Sequence, residues 1–178
     1  MAIDLSIKKF SAAVAKPQDM ESSCGFFVHG RPVLLRPMNK DDLDEVMAIE
    51  RSAYRYPWSS GFFIQEVQVA CARSIIAEAD GRICGYVLFW LLPGSIDVHN
   101  LAVATDSRRL GIARLLMHQV VACARAQSAT RVTLEVRQSN EPAKRLYLSL
   151  GFVQSGLRKG YYSDDGEDAF TMALELNV

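Results

Sequence analysis

The sequence predicts an α/β domain in which strands and helices share one core, and three stretches carry that prediction. Residues 74–104 read as three strands separated by Asp80-Gly81 and Pro93-Gly94, both strong reversal signals. From His99 to Met117 a short apolar strand (Leu101, Ala102, Val103) passes through a polar turn into a helix. Residues Arg131–Gln138 alternate strictly, with Val132, Leu134 and Val136 on one face and Thr133, Glu135 and Arg137 on the other, and lead into a capped helix.

At 178 residues the chain is long enough to bury a single core without disulfides. Its 20 Lys and Arg balance 20 Asp and Glu, which removes any global electrostatic case for binding nucleic acid or an anionic membrane. Cys24, Cys71, Cys84 and Cys123 have neither CxxC nor zinc-like spacing, so reduced thiols and no metal site are expected. The longest apolar run, Ile83–Leu92, is too short to span a bilayer, and Phe10–Ala15 is too short for a signal-peptide core. A cytoplasmic protein is expected. The chain has no GxSxG, no GxxxxGKS/T and no GxGxxG.

Residues 1–30 show no sustained period and read as a flexible extension whose Phe10, Phe26 and Phe27 dock on the domain, on a partner or nowhere; residues 31–178 form the domain. A strand at Val33–Arg36 comes first. Asn39 then caps a helix starting near Lys40, with Leu43, Val46, Met47 and Glu50 at helical spacing and the apolar members inward. Asp41, Asp42 and Asp44 suit the positive end of that helix and read as a solvated acidic rim. Pro57 ends the pattern, Ser59 or Ser60 caps the next helix, and Tyr54, Tyr56 and Trp58 in between either serve function or plug the end of the core.

After the three-strand meander, the helix that carries Arg108, Arg109 and Gly111 in its first turn presents about four unpaired N–H groups beside roughly half a positive charge. Arg114 adds charge, and Gly111 and Ala113 leave room for a phosphate; ordinary α/β packing is the alternative. His118 reads as a surface residue. His99 has a better claim to function, with a structural role as the alternative. Downstream, Asn140 caps a helix opened by Glu141-Pro142, striped by Ala143, Leu146, Tyr147 and Leu150, and stopped by Gly151. Taken alone, Glu135 is a solvated strand residue or a base, and Tyr147 a core aromatic or an acid. A closing hairpin turns at Asp165-Gly166, with Phe170, Met172, Leu174 and Leu176 inward.

The order Arg108-x-x-Gly111-x-Ala113 matches the Arg/Gln-x-x-Gly-x-Gly/Ala signature of the Gcn5-related N-acetyltransferases (GNAT). From about Val33 onward the chain resembles the RimI-like, ribosomal-protein-alanine branch of that family: Tyr56-Pro-Trp-Ser59, Leu134-Glu-Val-Arg-Gln-Ser-Asn140, Arg145-Leu-Tyr-Leu-Ser-Leu-Gly-Phe152 and Arg158-Lys-Gly-Tyr-Tyr162 come in the right order. It departs in having Ala113 for the second glycine, no Asp-Pro after the strand, and an N-terminal extension without counterpart.

The resemblance implies an α+β GNAT fold, a mixed, mostly antiparallel sheet flanked by helices on both faces and splayed beside Leu101–Val103. It implies acetyl-coenzyme A as acetyl donor, with Leu101, Ala102 and Val103 on the pantetheine arm, Arg108, Arg109, Leu110, Gly111, Ile112, Ala113 and Arg114 around the pyrophosphate, and Asn140 touching the donor. Glu135 becomes the proton acceptor and Tyr147 the proton donor. Tyr56, Trp58, Tyr161 and Tyr162 wall the groove for a peptide N-terminus, the expected acceptor being the N-terminal alanine of a small-subunit ribosomal protein. A polyamine, other small amine or lysine acceptor is the alternative, and a non-enzymatic acetyl-coenzyme A-binding module is a third reading.

Overall fold

In the computed structural model residues 23–177 are described. Eight strands form one sheet in the order β1-β2-β3-β4-β5-β6-β8-β7. They are β1 (Cys24–Val28), β2 (Arg31–Pro37), β3 (Ala72–Ala79), β4 (Arg82–Leu92), β5 (Ser95–Val103), β6 (Arg131–Arg137), β7 (Val153–Tyr162) and β8 (Glu167–Glu175). The helices are α1 (Leu43–Ala53), α2 (Ser60–Glu66), α3 (Ile112–Ala126) and α4 (Glu141–Ser149). All neighbouring strands are antiparallel except β5 and β6.

The sheet starts earlier than the expected boundary at residue 30. β1 pairs along β2, and Phe26 and Val28 alternate into the core, while His29 and Gly30 close the turn at positive φ. The expectation for Phe10 and the first part of the extension falls on residues outside those described.

Asn39 caps as expected: its Oδ1 accepts the Asp41 N–H at 2.8 Å, and Asp42 Oδ2 accepts the Asn39 N–H at 2.7 Å. One 3-10 turn (Lys40–Asp42) intervenes before α1. Asp42 does not belong to a solvated rim. It is buried, and Arg36 grips both its oxygens at 2.7 and 2.8 Å, holding the carboxyl below the usual range although burial opposes this.

α1 and α2 cover one face of the sheet, where Val46, Met47, Ile49 and Phe63 pack on Ile76, Tyr86, Leu88 and Ala102. α3 covers the other face, with Leu115, Leu116 and Val120 against Val87, Ile96 and Val132, and Tyr147 of α4 joins the same core. Covered on both sides, β4 is buried without a break from Ile83 to Phe89. Within it Gly85 lies so close to β5 that a Cβ would stand 2.8 Å from the Ala102 carbonyl oxygen.

Two irregularities shape the centre of the sheet. β5 and β6 pair from Ser95↔Arg131 to Val98↔Leu134, and beyond that they part, although β5 continues to Val103 and β6 to Arg137. Just there β5 carries a bulge against β4: Phe89 pairs with Val98 and Leu88 with Asn100, so His99 is the extra residue. Ahead of the bulge Ile96 and Val98 point to the α3 side; after it Ala102 points to the α1 side.

Candidate active site

The fork between β5 and β6 is the natural site, because parting strands leave main-chain groups along Asn100–Val103 without a parallel-strand partner. One of these edges has been claimed: Tyr54, just past α1, donates its hydroxyl to the Leu101 carbonyl at 2.6 Å. Leu101 and Val103 are half-buried and Ala102 is buried, so extended backbone lines a slot that an amide-bearing chain can enter.

From the fork β5 leads to the proposed phosphate loop, and here the structure corrects the expected helix start. Arg108 is extended (φ −67°, ψ 155°), Arg109 has φ 65° and Gly111 φ 84°, so none of the three is helical and α3 begins at Ile112. Backbone of alternating hand favours the concave N–H arrangements that hold anions. No side chain caps α3, and its first intrahelical bond runs from the Leu115 N–H to the Gly111 carbonyl, which leaves the N–H groups of Ile112, Ala113 and Arg114 for an anion. Gly111 is there for its φ: a Cβ would come no nearer than 3.6 Å to Val28.

The arginines divide the work. Arg108 folds back to donate to the carbonyls of Val103 and Ser52, and Arg114 donates to Ser149 Oγ at 2.6 Å, tying α3 to α4. Arg109 is exposed beside the helix end, Leu110 is half-buried and Ile112 is anchored in the core. Asn140 caps α4, its Oδ1 accepting the Ala143 N–H at 3.2 Å.

Glu135 and Tyr147 lie on opposite sides of the fork. Glu135, with Thr133, faces away from the α3 core that Leu134 and Val136 enter, and its Oε1 is 3.0 Å from Arg158 Nη1. Tyr147 is in that core, its ring 5.8 Å from that of Phe152. Burial, with a smaller contribution from Tyr162, pushes the Tyr147 hydroxyl well above its ordinary pKa, so it stays protonated at neutral pH. Tyr162, pushed up to about 12 chiefly by burial, interacts electrostatically with both Tyr147 and Glu135 and so links the two sides.

Around the mouth the expected aromatics behave differently from one another. Tyr161 and Tyr162 meet edge to face at 5.1 Å, with Arg158 over the first and Arg137 over the second at 4.2 and 3.8 Å. Arg137 is itself held by Asp164, Asp165 and Glu167, whose charges outweigh the burial that works against its own, and Glu167 also accepts the Ser139 N–H at 2.7 Å. The hairpin is thereby fastened to the loop before α4. Tyr56 is exposed under Arg55, and Trp58 packs edge-on against Phe62 and Phe63 at 4.5 and 5.5 Å. The aromatic of this loop that reaches the fork is Tyr54, close enough to Tyr147 and Tyr162 for electrostatic interaction.

Sequence reasoning missed Glu50. It is 1 % exposed, and its carboxylate accepts the Trp58 N–H at 2.8 Å, Asn100 Nδ2 at 3.3 Å and the Tyr86 hydroxyl. It thus joins α1, the aromatic loop, β4 and the fork strand. Its helical spacing with Val46 and Met47 was the available signal.

Comparison with known proteins agrees with this geometry. Residues 43–152 match the Acetyltransferase (GNAT) family. The chain is 34% identical over 144 residues to a relative in Bacillus subtilis, covering 80% of this chain and 95% of that one. It is 34% identical over 160 residues to an N-alpha-acetyltransferase of Sulfurisphaera tokodaii, covering 83% of this chain and 95% of that one. The crystal structure of the ribosomal-protein-S18-alanine N-acetyltransferase from Escherichia coli superposes with a TM-score of 0.76 at 29% identity, over 82% of this chain and 95% of that one. The forked sheet and the uncapped helix after it are thus features of an N-acetyltransferase that uses acetyl-coenzyme A, and the chain belongs to the GNAT family.

Proposed function

We propose that this enzyme acetylates the free α-amino group of a protein N-terminus, the N-terminal alanine of a small-subunit ribosomal protein, in the cytoplasm. The observation that carries the reading is the position of Glu135 and Tyr147 on either side of the parted strands, where a thioester in the fork is open to an amine from one side and to a proton donor from the other.

The α-ammonium loses a proton to Glu135, directly or through water, and the freed amine attacks the thioester carbonyl. A main-chain N–H of Leu101–Val103 polarises that carbonyl as charge develops on its oxygen. The carbon–sulfur bond then breaks, and Tyr147 supplies a proton to the departing thiolate. A protein α-amino group, with a pKa of about 7.7–8.0, gives up its proton far more readily than a lysine near 10.4, which suits a carboxylate base. The main-chain N–H groups of Ile112–Arg114 and the Arg109 side chain hold the pyrophosphate. The acceptor enters on the α1–α2 side between the Tyr54–Ser59 loop and Tyr161-Tyr162, where Asp97, Glu66 and Glu135 suit a basic tail.

The test is intact-mass analysis of an alanine-initiated ribosomal peptide with enzyme and acetyl-coenzyme A, beside an N-terminally blocked, lysine-containing copy and a polyamine. Transfer to the free N-terminus alone is expected. Transfer to the blocked peptide or the polyamine overturns the acceptor assignment, and binding of the donor without transfer to any amine overturns the enzymatic reading.

A further inference from the structure

His99 is the extra residue of the β5 bulge, and it stands where β5 and β6 part: the last paired residues are Val98 and Leu134, and the next in each strand are His99 and Glu135. Both side chains lie on the α1–α2 side. For β6 this follows from Leu134 and Val136 entering the α3 core; for β5 it follows from the contacts of His99 itself.

Its imidazole lies on the Trp90 indole, with centroids 4.4 Å apart and a 31° tilt. Nδ1 is 3.9 Å from Glu66 of α2, whose carboxylate also accepts the Trp90 Nε1–H, and Nε2 is 3.6 Å from Asp97 of the same strand. Asp97 is in turn fixed by the Thr133 hydroxyl of β6 at 2.8 Å. From β7, Arg158 and Tyr161 interact electrostatically with Asp97 and with Glu135, so the two strands' polar groups form one field. Yet Nε2 is buried and has no hydrogen-bond partner among the described residues. A buried ring nitrogen without a hydrogen bond is costly to keep, and a role in the reaction is one reason for a protein to tolerate that cost.

We propose that His99 is a proton-relay residue, taking from Glu135 the proton that the acceptor ammonium releases and passing it to solvent. During transfer the ammonium gives up two protons as one nitrogen–carbon bond forms and one carbon–sulfur bond breaks: one ends on the thiol through Tyr147, the other in water. The relay carries the second. Glu135 needs such an outlet because it is tied to Arg158, and an imidazole is a stronger base than a carboxylate by roughly two pK units. Asp97 and Glu66 flank the ring where imidazolium charge appears. The inference rests on the reaction proposed above as far as acetyl transfer to an ammonium, whichever amine supplies it.

The experiment compares wild type with His99→Ala and His99→Gln, after circular dichroism and titration with acetyl-coenzyme A have identified the folded variants. Each is assayed for kcat against pH on the alanine peptide, or on the lysine or polyamine acceptor if wild type takes that instead. A peptide refused by wild type while another amine is used thus sinks the acceptor assignment without touching the relay. The relay predicts a loss in kcat of about ten- to a hundred-fold with donor affinity unchanged, and a displaced acidic limb of the pH profile. It also predicts that added imidazole restores His99→Ala, whereas pyrazole, similar in shape but far less basic, does not. Equal rescue by both, rescue by neither, a kcat within two-fold of wild type, or no transfer by wild type to any amine would each overturn it.

Discussion

Replacing Glu50 with alanine takes the acceptor away from three donors at once: the Tyr86 hydroxyl, the Trp58 N–H and Asn100 Nδ2. Tyr86 is completely buried and Asn100 is 6 % exposed, so water cannot reach them freely. A hydrogen bond to a charged group contributes about 1.5–3 kcal/mol, and because neighbouring losses are not additive the combined cost is about 3–5 kcal/mol. For a domain of this length that lowers Tm by roughly 6–20 °C, since each kcal/mol is worth about 2–4 °C. Glu50→Gln keeps one acceptor oxygen but turns an amide against one donor, so it should fall about midway. Thermal unfolding followed by circular dichroism reads all three proteins. If Glu50→Ala melts within 2 °C of wild type, the reasoning is wrong, and the three donors are satisfied by something other than this carboxylate.

Four more expectations concern the site and its support. Tyr147→Phe removes a hydroxyl and keeps the ring, so kcat should drop about 10²–10⁴-fold with the fold intact; turnover equal to wild type would leave Tyr147 a core aromatic and nothing more. Glu135→Gln should lose a similar factor while acetyl-coenzyme A affinity, read by calorimetry, stays the same. Gly111→Ala forces a side chain into φ 84° and should weaken acetyl-coenzyme A binding measurably, with a calorimetric Kd unchanged from wild type arguing against the loop. For Asp42 the folded pKa lies below the unfolded one, mainly through Arg36. Its stabilisation is therefore present above the unfolded value near 3.8 and is lost as pH falls through the folded one, so the stability gap between wild type and Asp42→Asn should be full at pH 7 and close below that point.

Local signals were enough for the meander, the β6–α4 segment and the closing hairpin, because each is a period bounded by a turn or cap whose chemistry is contained in a few residues. Other features depend on what lies across the fold. β1 was hidden because Phe26, Phe27 and Val28 form a run rather than an alternation, and only pairing with β2 decides which of them face in. Glu50 and Asp42 are charged residues on inward positions, and their burial follows from partners far away in sequence, Tyr86 and Arg36. The loop at Arg109 mimics a helix start because arginine at positive φ leaves no mark in the sequence. Glu135 and Tyr147 could be named from family resemblance, but the ion pair with Arg158 and the reach of Tyr54 to Leu101 are tertiary facts.

The seam between β5 and β6 is four pairs long, so the sheet consists of two plates, β1–β5 and β6–β8, joined over a short width. The loop proposed to hold the pyrophosphate follows the last strand of the first plate, whereas Arg158, Tyr161 and Tyr162 are carried at the far edge of the second. On the reading proposed above, the plate that carries the hairpin faces the acceptor and the other faces the donor, so exchanging the β7–β8 hairpin with that of a relative should change the amine accepted while leaving acetyl-coenzyme A affinity as it was.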